Sequence, residues 1–366
     1  MTWLNGRIER QLVTALLLLA LLVSCGLAGR AGQPSQPADP TLVAEEPTET
    51  PPDPTAEEPA PAANQAMVPT TTPLAIPSTS VGSPSASASM VPTVTVVPSI
   101  PPTPTRVPSA GPLAKYRLVT YYGHPASDRM GILGEFDQPE QMIAKLKEQT
   151  AAYTAADPSR PGLCTIELIA SVAQGSAGSD GLWLLRTPAT TIERYSQLAE
   201  KHGCLLMLDV QMGYDTVAND IAALLPFLQR PHVHLAIDPE FHVARGQQPG
   251  EHFGSITAAD VNAASKLLGD LVRKHNLPDK VLVIHQFRDD MLPDKKKITP
   301  LPNVDLVIMM DGWGGQEAKT QNYAYFVKEQ LIQYGGIKLF YRQDVPVMTP
   351  EQILELDPKP LVVIYQ

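Results

Sequence analysis

Two carboxylates stand two residues apart where a short apolar run ends, in His232-Val-His-Leu-Ala-Ile-Asp238-Pro-Glu240-Phe241. In an extended strand, residues i and i+2 face the same side, so Asp238 and Glu240 are expected to address one space. Other apolar runs also end in polar residues. They close on Tyr122 and His124, on Asp209 and Gln211, on His285 and Arg288, on Asp311, on Tyr341, and on Tyr365. Gathered in one place, these side chains are the material of a hydrolytic or binding site. His124, Asp209, Asp238, Glu240, His285 and Asp311 also mix ligand types in the manner of metal-dependent hydrolases, which is one alternative. Against it, no His-x-His stands at the end of the first run, and His232-x-His234 opens the fourth run rather than closing it. No metal ligand set and no cofactor is therefore assigned.

The elements that must position these residues are eight apolar runs. They cover residues 117–122, 164–172, 204–210, 233–237, 280–284, 304–309, 337–341 and 361–365. Most are continuous stretches of β-branched and aliphatic residues, as expected of parallel strands covered on both faces. Helical patterns separate them: 138–152, with Asp137 as N-cap and Glu140 at capping-box spacing; a helix opened by Thr187-Pro188 and closed by Gly203; 217–228; 258–275; 323–334; and a short one from Thr349-Pro350. The connection after the fifth run is rich in Pro and Lys and carries no convincing helix. This α/β alternation over about 250 residues predicts a (β/α)8 TIM-type barrel lacking a clear eighth helix. Residues near Leu113 are expected to cover that gap. The rival, a doubly wound open sheet, lacks its Gly-rich phosphate loop after the first run. Three long Gly-rich loops, 174–186 with Trp183, 242–256, and 312–316 with Trp313, are expected over the barrel mouth. Exposed Trp beside carboxylates suits stacking on sugar rings; anchoring of the loops is the competing reading.

The Asp238-x-Glu240 motif at the end of the fourth strand resembles that of glycoside-hydrolase barrels, the lysozyme-type family 25 and the chitinase-type family 18. The resemblance implies that Glu240 protonates a leaving-group oxygen while Asp238 assists, with Asp311 or Asp209 as a second carboxylate. It departs from the chitinase type at Ala236, where an Asp stands in that family, and from the lysozyme type at Tyr122-Gly123-His124. The strings Tyr-Tyr-Gly-His-Pro, His-Gln-Phe-Arg and the terminal Tyr-Gln resemble an uncharacterised family of secreted bacterial barrel proteins. The implied function is hydrolysis or binding of cell-wall or extracellular glycans. The substrate-binding candidates are His124, Tyr122, Gln211, His285, Arg288, Trp183, Trp313, Tyr341 and Tyr365. A non-catalytic barrel that binds glycans or a protein partner is the other alternative.

The domain occupies residues 113–366. Residues 25–112 read as a disordered Pro/Thr/Ser-rich tether: between Arg30 and Pro112 lie 20 of the chain's 37 prolines and no Trp, Tyr or Phe. Such a stretch cannot bury enough apolar surface to offset its ordering entropy. Residues 1–24 read as a signal peptide, with Arg7 and Arg10 before the apolar run 12–23. Leu22-Val-Ser-Cys25 resembles the lipobox of bacterial lipoproteins, which implies lipidation of Cys25 and an extracytoplasmic, membrane-anchored protein. The domain carries −6 of the formal net charge of −10 and no basic stripe, which excludes a nucleic-acid binder. A monomer is expected. Cys164 and Cys204 open neighbouring strands, either as a disulfide or as two buried thiols.

Overall fold

The computed structural model describes residues 109–366. The expected signal peptide, the expected lipidation at Cys25 and nearly all of the expected tether lie outside the described residues. In chain order the strands are β1 (Arg117–Gly123), β2 (Gly162–Ala173), β3 (Leu184–Arg186), β4 (Leu205–Val210), β5 (Val233–Ile237), β6 (Lys280–Gln286), β7 (Val304–Met310), β8 (Tyr334–Leu339) and β9 (Val362–Tyr365). Eight of them are parallel neighbours, and β1 pairs with both β2 and β9, which closes the sheet into a barrel. The short β3 is the exception: it folds back antiparallel on the end of β2 within the long loop.

The helices are α1 (Pro139–Ala156), α2 (Ala189–His202), α3 (Val217–Leu228), α4 (Ala258–His275), α5 (Gln316–Tyr323) and α6 (Pro350–Leu354). α3 and α4 have the limits expected from their apolar stripes. Elsewhere the caps differ. α1 begins at Pro139, one residue later than expected, so Gln138 rather than Asp137 is its N-cap and no side chain caps it. Thr187 does not cap α2; its hydroxyl donates to the Ile169 carbonyl at 2.8 Å. The helix expected over 323–334 starts at Gln316 and ends in a wide turn over Ala324–Lys328. Tyr334-Gly335-Gly336 already belongs to β8. These glycines look like strand breakers, but a Cβ on either would collide with Tyr323 and Val327 or with Met309. Only 3-10 turns join β6 to β7, and the chain ends at β9.

Alternation along the strands divides the core. Val119, Ile166, Leu208, Ile237 and Ile284 face the helices. Leu118, Met207, Ala236, Val283, Val307 and Ile364 fill the barrel. Leu113 belongs with this inner set, so its turn plugs the floor instead of covering the missing eighth helix. Beside that gap, the outer face at β1 and β9 carries Tyr365 with Tyr121, Tyr153 and Tyr341 around it, their ring centroids 5.3–6.4 Å from its own. The packed chain also begins earlier than residue 113: Ser109 donates to Asp305 at 2.6 Å, and the Ala110 N–H donates to Asp279 at 2.7 Å.

Two covalent or ionic ties hold the barrel. Cys164 and Cys204 form a disulfide between β2 and β4. Closing a loop of this span stabilises by about 4 kcal/mol in the chain-entropy account. Lys319 and Asp344 form a fully buried pair at 2.8 Å. Lys319 also donates to the carbonyls of Gly312 (2.7 Å) and Lys338 (2.6 Å), and Asp344 accepts from the N–H groups of Gly314 (2.8 Å) and Phe340 (2.9 Å). The pair thus clamps the C-terminal ends of β7 and β8. Among the described residues, no helix is long and apolar enough to cross a membrane. Removing one member of a buried, hydrogen-bonded pair strands the other. Lys319→Met is therefore expected to cost about 3–5 kcal/mol in urea unfolding, and a loss below about 1 kcal/mol would show that the clamp is not structural.

Candidate active site

Inward positions near the C-terminal ends of seven strands carry polar groups. They are Tyr122 on β1, Glu167 on β2, Asp209 on β4, Asp238 just past β5, His285 on β6, Asp311 just past β7 and Lys338 on β8. All are 5% exposed or less. The strand period of two accounts for this layer, because Met207/Asp209, Ala236/Asp238, Val283/His285 and Met309/Asp311 are each one apolar and one polar step on the same inner face.

His285 stands at the centre. Its Nδ1 lies 2.9 Å from Asp311 Oδ2 and its Nε2 lies 3.1 Å from Glu167 Oε1. Lys338 Nζ is 3.2 Å from Asp311 Oδ1 and sits 3.8 Å from the centre of the Tyr122 ring. The Tyr122 hydroxyl donates to Asp209 at 3.2 Å and accepts from the Gln211 amide at 3.4 Å, while Gln211 Oε1 accepts from the Ala173 N–H at 2.9 Å. Asp238 and Glu240 reach the site differently from the simple strand expectation. The strand ends at Ile237, since Pro239 has no N–H to continue the ladder. Asp238 then caps a single turn, Pro239–Phe241, and accepts from the Glu240 N–H at 3.1 Å. Glu240 is half-buried.

Five carboxyl groups face two cationic side chains, and their protonation follows from that imbalance. Burial pushes Asp209 up to about 8, with Asp238 and Glu167 adding to it and His285 opposing. Burial also pushes Glu240 up to about 8, helped by the charges of Asp238 and Asp311. Asp238 is raised by burial against the pull of His285. At Asp311 burial works upward but is outweighed by Lys338 and His285, which hold it below the usual range. His285 is driven well above its ordinary value: burial lowers it, and Asp311 and Glu167 more than reverse this. Lys338 is raised in the same way, burial being overcome by the surrounding acids.

The remaining sequence candidates are distributed less uniformly. His124, half-buried, hydrogen-bonds Thr187 at 3.1 Å and accepts from the Ala126 N–H at 3.2 Å. Trp183 packs on Tyr214 at 5.9 Å, and the Tyr214 hydroxyl ties Gln247 and Gly246 of the next long loop, both at 2.8 Å. That arrangement is the loop-anchor reading. Trp313 is 38% exposed beside Gly314. Arg288 pairs with Asp290 at 2.7 Å and lies 4.7 Å over the Phe253 ring. Tyr365 is corrected: with Val362 and Ile364 inside, it points outward, its hydroxyl bonded to those of Tyr153 (2.8 Å) and to Gln149 (3.0 Å). Tyr341 stacks on it and also leaves the inner set. His234 accepts from the Val281 N–H at 3.0 Å near the start of its strand, so the His-x-His pair stays away from the mouth.

Glu167 and Lys338 were not among the sequence candidates. Each sits in the middle of an apolar run, Cys164-Thr-Ile-Glu-Leu-Ile and Ile337-Lys-Leu. A lone charge inside a strand covered on both faces must be paired within the barrel, and that signal could have found both. Phe253 was missed as well. It is 42% exposed, and its neighbour Gly254 donates its N–H to the Glu240 carbonyl at 2.6 Å.

No family model matches the chain, and no curated protein matches it. Among solved structures, the Prevotella bryantii endo-β-mannanase/endo-β-glucanase PbGH26A-GH5A aligns at 9% identity and a TM-score of 0.31, over 59% of this chain and 39% of that one. GH26C from a Muricauda species aligns at 10% identity and a TM-score of 0.32, over 69% of this chain and 79% of that one. Likeness at this level bears on neither substrate nor mechanism. The class defined by the chain's own topology and site is a closed (β/α)8 barrel with an acid-lined mouth.

Because Glu240 stands at about 8 in the fold against an ordinary 4.5, the folded state binds more protons than the unfolded chain between those values. Its contribution is therefore fully present below about pH 4.5 and is lost as pH rises towards 8. Glu240→Gln cannot ionise. Urea unfolding should find it close to the parent near pH 4.5 and more stable by on the order of 2–3 kcal/mol above pH 8. Equal stability at both pH values would mean that Glu240 is not held protonated.

Proposed function

We propose that this chain is a glycan-active barrel, related in mechanism to acid-catalysed glycoside hydrolases, in which Glu240 is the general acid. One observation carries the reading. Of the five acids at the mouth, Glu240 alone combines a half-buried, reachable position with a carboxyl held protonated at neutral pH. A general acid needs both properties. Asp238 assists by fixing the Glu240 backbone and by disfavouring its ionisation. Asp311, kept ionised by Lys338 and His285, supplies the complementary charged carboxylate that stabilises an oxocarbenium-like centre. Phe253 and Arg288, stacked on one another beside the Glu240 turn, offer an apolar and a cationic face to sugar rings.

The test is release of reducing ends from a panel of cell-wall and extracellular polysaccharides. Glu240→Gln should lower kcat by about 10²–10⁴-fold with the fold intact. Parent activity should fall as pH rises through about 8, where Glu240 loses its proton. Undiminished turnover in Glu240→Gln would remove the reading. A barrel that binds glycan without cleaving it is the second reading, favoured by the burial of Glu167, Asp209, Asp238 and Asp311. Glycan binding that persists in Glu240→Gln, with no turnover by the parent, selects it.

The same proposal places the barrel outside the cytoplasm, lipid-anchored to a bacterial membrane and held off by the Pro-rich tether. The charged and apolar leader, Leu22-Val-Ser-Cys25 and the composition of residues 30–112 support it, and the Cys164–Cys204 disulfide suits an oxidising compartment. Cys25→Ala should abolish palmitate incorporation and globomycin-sensitive processing; processing that proceeds unchanged would overturn the anchor.

A further inference from the structure

Three strands bring together three donors to which the acid-catalysis reading gives no direct contact with substrate. They are Glu167 on β2, Asp209 on β4 and His285 on β6, and one ligand atom of each lies within 4.8 Å of the others. All three side chains are fully buried. Glu167 Oε2 and Asp209 Oδ1 have no hydrogen-bond partner, which is costly for buried carboxylate oxygens. The placing of His285 fits the same reading: its Nδ1 lies 2.9 Å from Asp311 Oδ2 and its Nε2 3.1 Å from Glu167 Oε1. In the metal-free site a proton on Nε2 bridges to Glu167, and a dication would take the place of that proton. Asp311–His285 is also the arrangement by which a carboxylate fixes the tautomer of a metal-binding imidazole.

We propose that Glu167, Asp209 and His285 hold a divalent transition-metal ion of the zinc or manganese class. One imidazole with two carboxylates suits these ions, whereas calcium and magnesium favour sites made wholly of oxygen. Donors about 2.1 Å from a tetrahedral ion stand roughly 3.4 Å apart, so three donors already within 4.8 Å of one another need only a small closure. Three protein ligands leave a coordination position for water or for an oxygen of a bound molecule. Asp311 is the positioning residue, acting through His285. The site does not depend on Glu240 being a general acid.

The experiment uses the intact protein purified without chelators. Elemental analysis reads the metal it carries, and calorimetric titration of EDTA-stripped protein with Zn²⁺, Mn²⁺ and Ca²⁺ in turn reads affinity. The expected result is one Zn²⁺ or Mn²⁺ per chain, bound more tightly than Ca²⁺. Asp311→Asn should weaken binding by about 10–100-fold, and Glu167→Gln or His285→Gln by more than that. Glu240→Gln should leave affinity unchanged, so failure of the metal site and failure of the general acid are separable. Near-UV circular dichroism checks each variant. Should the ligand variants not fold, the visible absorption of the Co²⁺-loaded parent reports mixed nitrogen and oxygen ligation without any substitution. Folded parent that binds no dication at millimolar concentration overturns the site, as does binding indifferent to Glu167→Gln and His285→Gln, or an all-oxygen Co²⁺ spectrum.

Discussion

The ammonium of Lys338 is the charge on which the mouth of this barrel depends. It lies inside a ring of Glu167, Asp209, Asp238 and Asp311, all of which favour its charged form. Burial pushes Asp209, Asp238 and Asp311 towards the neutral state, and this ammonium opposes it at each. With it, Asp311 stays ionised and His285 is drawn into its charged or proton-sharing form between two carboxylates. Lys338 is itself held by structure rather than by solvent. Its carbonyl accepts from Lys319, which is fixed by Asp344, and its ammonium rests on the face of Tyr122. An uninterrupted line of ionic and hydrogen-bonded contacts therefore runs from Asp344 through Lys319, Lys338, Asp311 and His285 to Glu167.

Such a line is unfavourable to assemble, since each charge must leave water and only good geometry compensates. The barrel concentrates the cost in one layer. Below it, Met207, Ala236, Val283, Val307 and Met309 make the interior apolar down to the Leu113 plug. Outside, the strands pack on the helices, and beside β1 and β9 tyrosines supply apolar bulk and let hydroxyls bond to one another. The disulfide between β2 and β4 lies near the strand starts, away from the charged layer, and restricts the unfolded chain instead of adding to the site.

The barrel was legible because continuous β-branched runs separated by amphipathic helices admit few other folds, and the limits of β5, α3 and α4 follow directly from the residues. What resisted reading was local chemistry. Thr187 binds a carbonyl where a cap was expected, since a hydroxyl serves either purpose. Gly335 and Gly336 conceal the start of β8, because their role is close approach to Tyr323 and Met309, a tertiary fact. At the site, Asp209, Asp238, His285 and Asp311 were visible as polar ends of apolar runs, whereas Glu167 and Lys338 were hidden inside such runs. Tyr365 was misplaced by the same habit of reading ends: a one-step difference in alternation sends it out of the barrel.

Alternation also explains why Glu240, and not a deeper acid, is the group exposed to a ligand. The acids at inward strand positions are buried, and Glu167, Asp209 and Asp311 each commit one oxygen or more to His285, Lys338 or Tyr122. Glu240 escapes because Pro239 ends the β5 ladder one step early and Asp238 turns the chain. Its backbone is fixed on both sides, the N–H by Asp238 and the carbonyl by Gly254. A Cβ at Gly254 would strike Pro239 and His242, so the long loop can approach only through glycine. A carboxyl on so rigid a turn, half out of a layer crowded with negative charge, keeps its proton for electrostatic reasons and can present it for steric ones. The deeper acids do the opposite: they stay enclosed, and Asp238 and Asp311 among them add to the field that keeps Glu240 neutral.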